Sequence, residues 1–223
     1  MSVRVKICGV TNPDDARTAV EAGADALGFV FCAGSPRVVA PNVVTEITRG
    51  LPGRVLRVGV FLDAAPTTIL RTVSACGLDA VQLHGEESPE FCDALAPFPV
   101  WKAFRIGSRD VLQQLAAYRD VTAAWLLDGY VEGQPGGTGA TFNWDLAVEA
   151  TRLAHPIVLA GGLTPENVAE AVRQVRPAAV DVSSGVESAA GKKDTDKVRR
   201  FIAAVRSVVP EETRAHISMS ASS

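Results

Sequence analysis

The sequence predicts an α/β protein that forms a single (β/α)8 TIM barrel over residues 1–209. Short apolar runs alternate with amphipathic stretches, and this alternation occurs about eight times along the 223 residues. One barrel domain of this kind suits the length of the chain. The alternative is a doubly wound open sheet, but the Gly-x-Gly-x-x-Gly turn that usually follows the first strand of such a sheet is absent.

The eight strand candidates are rich in Val, Leu, Ile and Phe, as expected of strands that are covered on both faces. In chain order they are residues 3–7, 26–31, 55–61, 79–83, 99–104, 123–127, 156–160 and 179–182. Because the carboxyl ends of barrel strands form the active face, the residues directly after these runs are the candidates for chemistry.

The helices between the strands begin at capping residues and prolines and end at glycines. The start signals are Asn12-Pro13, Pro66, Ser88-Pro89, Ser108, Thr164-Pro165 and Asp194. The expected left-handed glycines after the first three helices are Gly23, Gly50 and Gly77. Residues 210–223 lack apolar periodicity, and they are predicted to be a disordered tail.

Composition argues against several classes of partner. The net charge is −3 and aromatic residues make up 6% of the chain, which argues against nucleic-acid binding. No apolar run approaches the roughly 20 residues that span a bilayer, and residues 1–11 resemble strand and turn rather than a signal peptide. We therefore expect a small-molecule partner. The scattered cysteines suit a reducing, cytoplasmic location, and a monomer and a homodimer both remain open.

The cysteines and histidines indicate neither a disulfide framework nor a metal site. The four cysteines lack the Cys-x-x-Cys spacing, and the three histidines are far apart in the sequence. We expect no metal and no cofactor.

Residues 3–9 contain the first catalytic candidate. Lys6 and Cys8 lie two apart on a predicted strand, so their side chains point the same way. A neighbouring ammonium favours the thiolate, which can remove a proton from carbon or attack an electrophile. The alternative is a small buried hydrophobic residue that closes the strand.

Asp128 is the second candidate, because it directly follows the sixth apolar run. The loop after it, residues 129–141, is glycine-rich and long enough to be a lid or binding loop. In an eight-stranded ring, the first and sixth strands place Cys8 and Asp128 opposite each other. A base and an acid on opposite sides of a ligand suit isomerisation by proton transfer. A plain capping role is the alternative for Asp128.

Small-residue turns follow the seventh and eighth strands, and they contain Gly161, Gly162, Ser184 and Gly185. Turns at these positions commonly bind phosphate in barrels, because backbone N–H groups and a short helix face the anion. Ordinary tight turns are the alternative.

Arg37 and His84 complete the candidates on the active face. Arg37 lies in the Ser35-Pro36-Arg37 turn, and its planar guanidinium suits a substrate carboxylate. It could equally be a surface arginine. His84 follows the fourth strand, where it could orient a neighbour or be structural.

Ten short segments, taken in order and spacing, resemble the phosphoribosylanthranilate isomerase family from Lys6 to about Phe201. They are Lys6-Ile7-Cys8-Gly9, Gly28-Phe29-Val30-Phe31, Ser35-Pro36-Arg37, Val58-Gly59-Val60-Phe61, Val81-Gln82-Leu83-His84-Gly85, Leu126-Leu127-Asp128, Gly136-Gly137-Thr138-Gly139, Leu159-Ala160-Gly161-Gly162-Leu163, Asp181-Val182-Ser183-Ser184-Gly185-Val186-Glu187 and Gly191-Lys192-Lys193-Asp194.

The resemblance implies an Amadori rearrangement in tryptophan biosynthesis that needs no cofactor or metal. It implies Cys8 as general base, Asp128 as general acid and Arg37 as the partner of the anthranilate carboxylate. Lys6, His84 and the small-residue turns are assigned to substrate binding. Asn143 stands where the family usually carries Asp, and it is expected to cap a helix equally well.

Two other functions remain open from the residues. Another phosphosugar isomerase or epimerase would share the phosphate turns without needing Arg37. A non-catalytic phosphosugar-binding barrel would have no reason to place Cys8 and Asp128 at opposed strand ends.

Overall fold

The computed structural model describes residues 2–129 and 144–208. Most of the predicted loop at 129–141, the expected cap Asn143 and the predicted tail at 210–223 lie outside the described residues.

Eight parallel strands form a closed barrel in chain order, which confirms the predicted fold. The strands are β1 (Arg4–Cys8), β2 (Ala26–Val30), β3 (Leu56–Phe61), β4 (Ala80–Leu83), β5 (Val100–Arg105), β6 (Ala124–Asp128), β7 (Ile157–Ala160) and β8 (Ala179–Val182). The ring closes between β8 and β1, where Lys6 lies opposite Asp181. Each apolar run identified in the sequence therefore became one barrel strand, with end points that shifted by about one residue.

Helices follow the strands and cover the outside of the barrel. They are α1 (Pro13–Ala22), α2 (Pro41–Arg49), α3 (Pro66–Cys76), α4 (Pro89–Asp93), α5 (Asp110–Leu115), α6 (Trp144–Thr151), α7 (Val168–Val175) and α8 (Thr195–Arg206). Short 3-10 helices span Ala116–Tyr118 and Ser184–Val186. A small antiparallel hairpin of β9 (Glu187–Ala189) and β10 (Lys192–Lys193) lies between β8 and α8.

Three of the predicted caps make the expected hydrogen bonds. The side chains of Asn12, Ser88 and Asp194 each accept a backbone N–H from the residue three positions later. Gly23 and Gly77 are left-handed, with φ of 98° and 60°.

Three local predictions were wrong. Gly50 has φ −92°, because α2 ends in a right-handed turn rather than at a left-handed glycine. The seventh helix begins at Val168, after Asn167, because residues 165–167 form a turn rather than the first helical turn predicted from Thr164. The fifth begins at Asp110, after Arg109, and not directly after Ser108.

The core has two layers because side chains alternate along each strand. Small residues such as Ala26, Ala80 and Ala124 fill the interior of the barrel. Larger side chains such as Ile7 and Phe29 face outward and pack against the helices. The polar interior positions at the carboxyl ends of the strands are therefore left for the site.

In the two described ranges, no helix is long and apolar enough to cross a membrane.

Candidate active site

Cys8 lies at the carboxyl end of β1, in the barrel interior, beside a buried ion pair. Lys6 is 1% exposed, and its Nζ donates to Asp181 Oδ1 at 2.9 Å. A Cβ built on Gly28 would lie 2.7 Å from Cys8 Sγ and 2.8 Å from Lys6 Nζ. Glycine at position 28 therefore makes room for both side chains, which point the same way as the sequence predicts.

Burial dominates the titration of the Cys8 thiol. Burial raises its pKa above the ordinary value, and the nearby Lys6 charge lowers it only in part. Burial disfavours the charged form of Lys6, but the nearby Asp181 and Cys8 outweigh this effect, so the pKa of Lys6 is raised. Lys6 favours the thiolate, as predicted, but the burial of Cys8 and the charge of Asp181 keep the thiol pKa above its ordinary value.

Asp128 ends β6, and it lies beside His84, which is hydrogen-bonded to a polar side chain in the barrel interior. His84 Nε2 lies 3.3 Å from Asp128 Oδ2, and Gln82 Nε2 lies 3.3 Å from His84 Nδ1. With the Gln82 amide nitrogen donating to Nδ1, the His84 proton lies on Nε2, the ring nitrogen that lies near Asp128. Gln82 is 1% exposed, so the hydrogen bond that orients the His84 ring comes from the barrel interior.

Position 161 requires glycine, because its backbone lies directly against Asp128 and Gly129. It has φ +82°, and a Cβ there would lie 2.3 Å from the Gly129 nitrogen and 2.6 Å from Asp128 Oδ1. Gly162, with φ +65°, continues the same left-handed turn. The turn after β7 thus packs directly against the carboxyl group at the end of β6.

The turn after β8 packs against the turn after β7. A Cβ on Gly185 would lie 1.9 Å from the Leu163 carbonyl oxygen. Ser184 and Gly185 open the short 3-10 helix Ser184–Val186, as the predicted small-residue turn requires. The four predicted phosphate-binding residues therefore form one continuous rim at the carboxyl ends of β7 and β8.

Replacing Gly185 with alanine is expected to destabilise the protein by about 1–3 kcal/mol, because the clash is with backbone that must shift. Thermal unfolding measures the effect, with Gly53→Ala as the control, since Gly53 has open space around it. An unchanged unfolding temperature for Gly185→Ala would contradict this packing.

Arg37 lies beside Cys8, where its side chain crosses Gly9. A Cβ on Gly9 would lie 2.6 Å from Arg37 Cδ, and Gly9 has φ +74°. The guanidinium donates from Nε and Nη2 to the two oxygens of Glu187, at 2.8 and 2.7 Å. Lys193 Nζ donates to the same carboxylate at 2.9 Å.

Sequence reasoning assigned no role to Asp181, Gln82, Glu187 or Lys193. Asp181 and Gln82 carried a usable signal, because each is a polar residue inside an otherwise apolar parallel strand. Glu187 and Lys193 stood in segments of the family resemblance. Their pairing with Arg37 joins residues about 150 positions apart, and it could not be read from the sequence.

A metal centre has no support in the part of the chain that the structure describes, where no group of three or more His, Cys, Asp or Glu side chains could hold an ion.

Comparison with known proteins decides the family. Residues 5–204 match the family model of N-(5'-phosphoribosyl)anthranilate (PRA) isomerase. The chain belongs to the phosphoribosylanthranilate isomerase family. This confirms the resemblance noted in the sequence.

Family members resemble the chain in sequence and in structure. The N-(5'-phosphoribosyl)anthranilate isomerase of Trichlorobacter lovleyi is 55% identical over 200 residues, which cover 90% of this chain and 96% of the relative. The crystal structure of the Thermotoga maritima isomerase has a TM-score of 0.87 at 45% identity, and it covers 92% of this chain and 98% of that chain.

A second solved structure shows a family member with a ligand. It holds reduced 1-(o-carboxyphenylamino)-1-deoxyribulose 5-phosphate, with a TM-score of 0.83 and 44% identity. It covers 92% of this chain and 98% of that chain.

Proposed function

We propose that this protein is a phosphoribosylanthranilate isomerase of tryptophan biosynthesis, an aldose–ketose isomerase that acts by general acid–base catalysis. The observation that carries the proposal is the placement of Cys8 and Asp128. They end β1 and β6, which lie three strands apart around one closed ring. The rim formed by the turns after β7 and β8 occupies the arc between them.

Two anionic ends would orient the substrate, N-(5-phosphoribosyl)anthranilate. The phosphate binds the turns at Gly161-Gly162 and Ser184-Gly185, where glycine lets the backbone approach an anion. The anthranilate carboxylate binds Arg37, which lies on the Cys8 side of the mouth. The furanose ring then lies between the base and the acid.

The reaction begins with the acid. Protonated Asp128 gives its proton to the ring oxygen, and the bond from that oxygen to C1′ breaks. The lone pair of the anilino nitrogen forms the iminium at C1′, so the substrate supplies its own electrons. His84 and Gln82 orient the Asp128 carboxyl for this step.

The second half needs the base. The Cys8 thiolate removes the C2′ proton, and the C–H electrons form the enolamine as the iminium is neutralised. Protonation at C1′ and loss of the O2′ proton give the 1-deoxyribulose ketone. Lys6 is too buried to bind the sugar directly, and its charge instead stabilises the thiolate while Asp181 keeps it in place.

Growth and substrate tests separate this function from its alternatives. A tryptophan-requiring bacterial strain that lacks the isomerase should grow without tryptophan when it carries this chain. Purified protein should convert phosphoribosylanthranilate and leave phosphosugars without an anthranilate group unchanged. Conversion of those phosphosugars alone would favour another isomerase or epimerase, and the absence of any turnover would favour a binding protein.

A cytoplasmic location is part of the proposal. The cysteines at positions 8, 32, 76 and 92 are all free, as in proteins of reducing compartments.

Arg37→Ala is expected to raise KM about 10- to 100-fold with a small change in kcat, since a hydrogen-bonded charge pair to the substrate is lost. Steady-state kinetics measure the split. The control is Arg109→Ala, which removes an exposed arginine paired with Glu149. An unaltered KM in Arg37→Ala would exclude Arg37 from the site.

A further inference from the structure

A buried charge cluster lies behind the proposed carboxylate site, and it consists of Arg37, Glu187 and Lys193. We infer that Glu187 is a positioning residue, which presets the Arg37 guanidinium so that its unused edge faces the substrate carboxylate. The inference rests on the proposed function, and it adds the hairpin of β9 and β10 to the specificity-determining part of the site.

The geometry of the pair leaves one side of Arg37 for a ligand. Glu187 accepts from Nε and Nη2 in a two-pronged pair, with both distances below 3 Å. A guanidinium has five N–H groups, so one Nη1 proton and the second Nη2 proton remain side by side on the adjacent edge. That edge can form a second two-pronged pair with a carboxylate.

Several hydrogen bonds hold Glu187 and its hairpin in place, so Glu187 can keep the Arg37 guanidinium in a fixed orientation. Its side chain is 4% exposed, and Lys193 Nζ donates to the same carboxylate at 2.9 Å. The Glu187 carbonyl accepts from Lys197 Nζ at 2.8 Å, and the Lys193 N–H donates to Asp15 at 2.8 Å. These bonds tie the hairpin to α1 and α8.

The charges of the cluster explain why Glu187 does not simply cancel Arg37. Two cations and one anion leave a net charge of +1 next to the expected substrate carboxylate. Burial lowers the pKa of Lys193, and Glu187 compensates for this only in part. If Glu187 becomes neutral and both cations remain, the net charge rises to +2, which by itself would strengthen the binding of a carboxylate. A loss of affinity in the neutral variant therefore reports orientation rather than charge.

A free arginine side chain would have to be ordered when the substrate binds. Presetting it removes that cost, which is typically about threefold to tenfold in affinity for one long side chain. The benefit applies only to ligands that use the preset edge, so it should depend on the carboxylate group.

The test compares two ligands that differ in this one group. The first is reduced 1-(o-carboxyphenylamino)-1-deoxyribulose 5-phosphate, and the second is the same molecule with phenyl in place of carboxyphenyl. Titration calorimetry measures Kd for both with wild type and with Glu187→Gln. We expect Kd of the carboxylate ligand to rise about tenfold and Kd of the phenyl ligand to change less than about twofold.

Controls make each outcome decisive. Glu149→Gln removes a carboxylate from an exposed pair with Arg109, and both affinities should stay unchanged. If Glu187→Gln does not fold, Glu187→Asp replaces it, because it keeps the charge and shortens the side chain that holds Arg37. A selective loss for the carboxylate ligand supports the inference in either variant. Equal losses for both ligands, or no loss, overturn it. A wild type that binds neither ligand would instead refute the proposed function.

Discussion

Cys8→Ala is expected to lower kcat/KM for phosphoribosylanthranilate by about 10²–10⁴, the usual contribution of a general base. The side chain lies at the end of β1, where the interior opens toward the mouth, and removal of its sulfur removes the proposed acceptor of the C2′ proton. Steady-state kinetics at one pH measure the loss, and thermal unfolding checks that the fold is intact.

Cys76→Ala is the matched control, since Cys76 is equally buried but ends α3 on the outside of the barrel. Its activity should equal that of the wild type. Near-wild-type turnover in Cys8→Ala would show that another group is the base.

The pH dependence of kcat/KM should report the same thiol. The pKa of Cys8 is raised by burial, so the fraction of thiolate in the free enzyme grows as pH rises through neutrality. The ascending limb of kcat/KM should therefore extend into the alkaline range, and Cys8→Ala should remove it. A wild-type profile that is flat above neutral pH would contradict this titration.

Asp128→Asn is expected to slow the opening of the furanose ring and to lower kcat by about 10²–10⁴. Asparagine has nearly the same shape, and its carbonyl oxygen can lie beside His84 Nε2 as the carboxylate oxygen does. The variant therefore removes the acidic proton while it keeps the geometry of the Gln82–His84 chain.

Asp14→Asn is the control for this change, because Asp14 forms an exposed pair with Arg17 on α1. Its kinetics should be unchanged. If Asp128→Asn retains kcat, the ring oxygen receives its proton from another source.

The barrel could be predicted from the sequence because its strands and helices are each marked by a local sequence pattern. Each strand is a short apolar run, and most of the runs are followed by a capping residue or a proline, so the period of the pattern shows the fold. Cys8, Asp128 and the glycine turns were found by the same logic, since all of them directly follow a strand. Errors occurred at helix ends such as Gly50, where a right-handed turn competes with the left-handed one.

The partners of the site residues could not be predicted in this way. Lys6 meets Asp181 across 175 positions, and Arg37 meets Glu187 across 150. The ring closure and the hairpin after β8 create these contacts, and no local pattern encodes them. The pKa of the Cys8 thiol depends on burial in the assembled barrel, and this burial outweighs the effect of the nearby lysine that is visible in the sequence.

The most direct test of the proposed isomerase activity follows anthranilate-type fluorescence after purified protein is mixed with freshly generated phosphoribosylanthranilate. We expect rapid loss of fluorescence with the wild type and formation of 1-(o-carboxyphenylamino)-1-deoxyribulose 5-phosphate. Both should be nearly abolished in Cys8→Ala and in Asp128→Asn. Persistent fluorescence with folded wild-type protein would contradict the proposed isomerase activity.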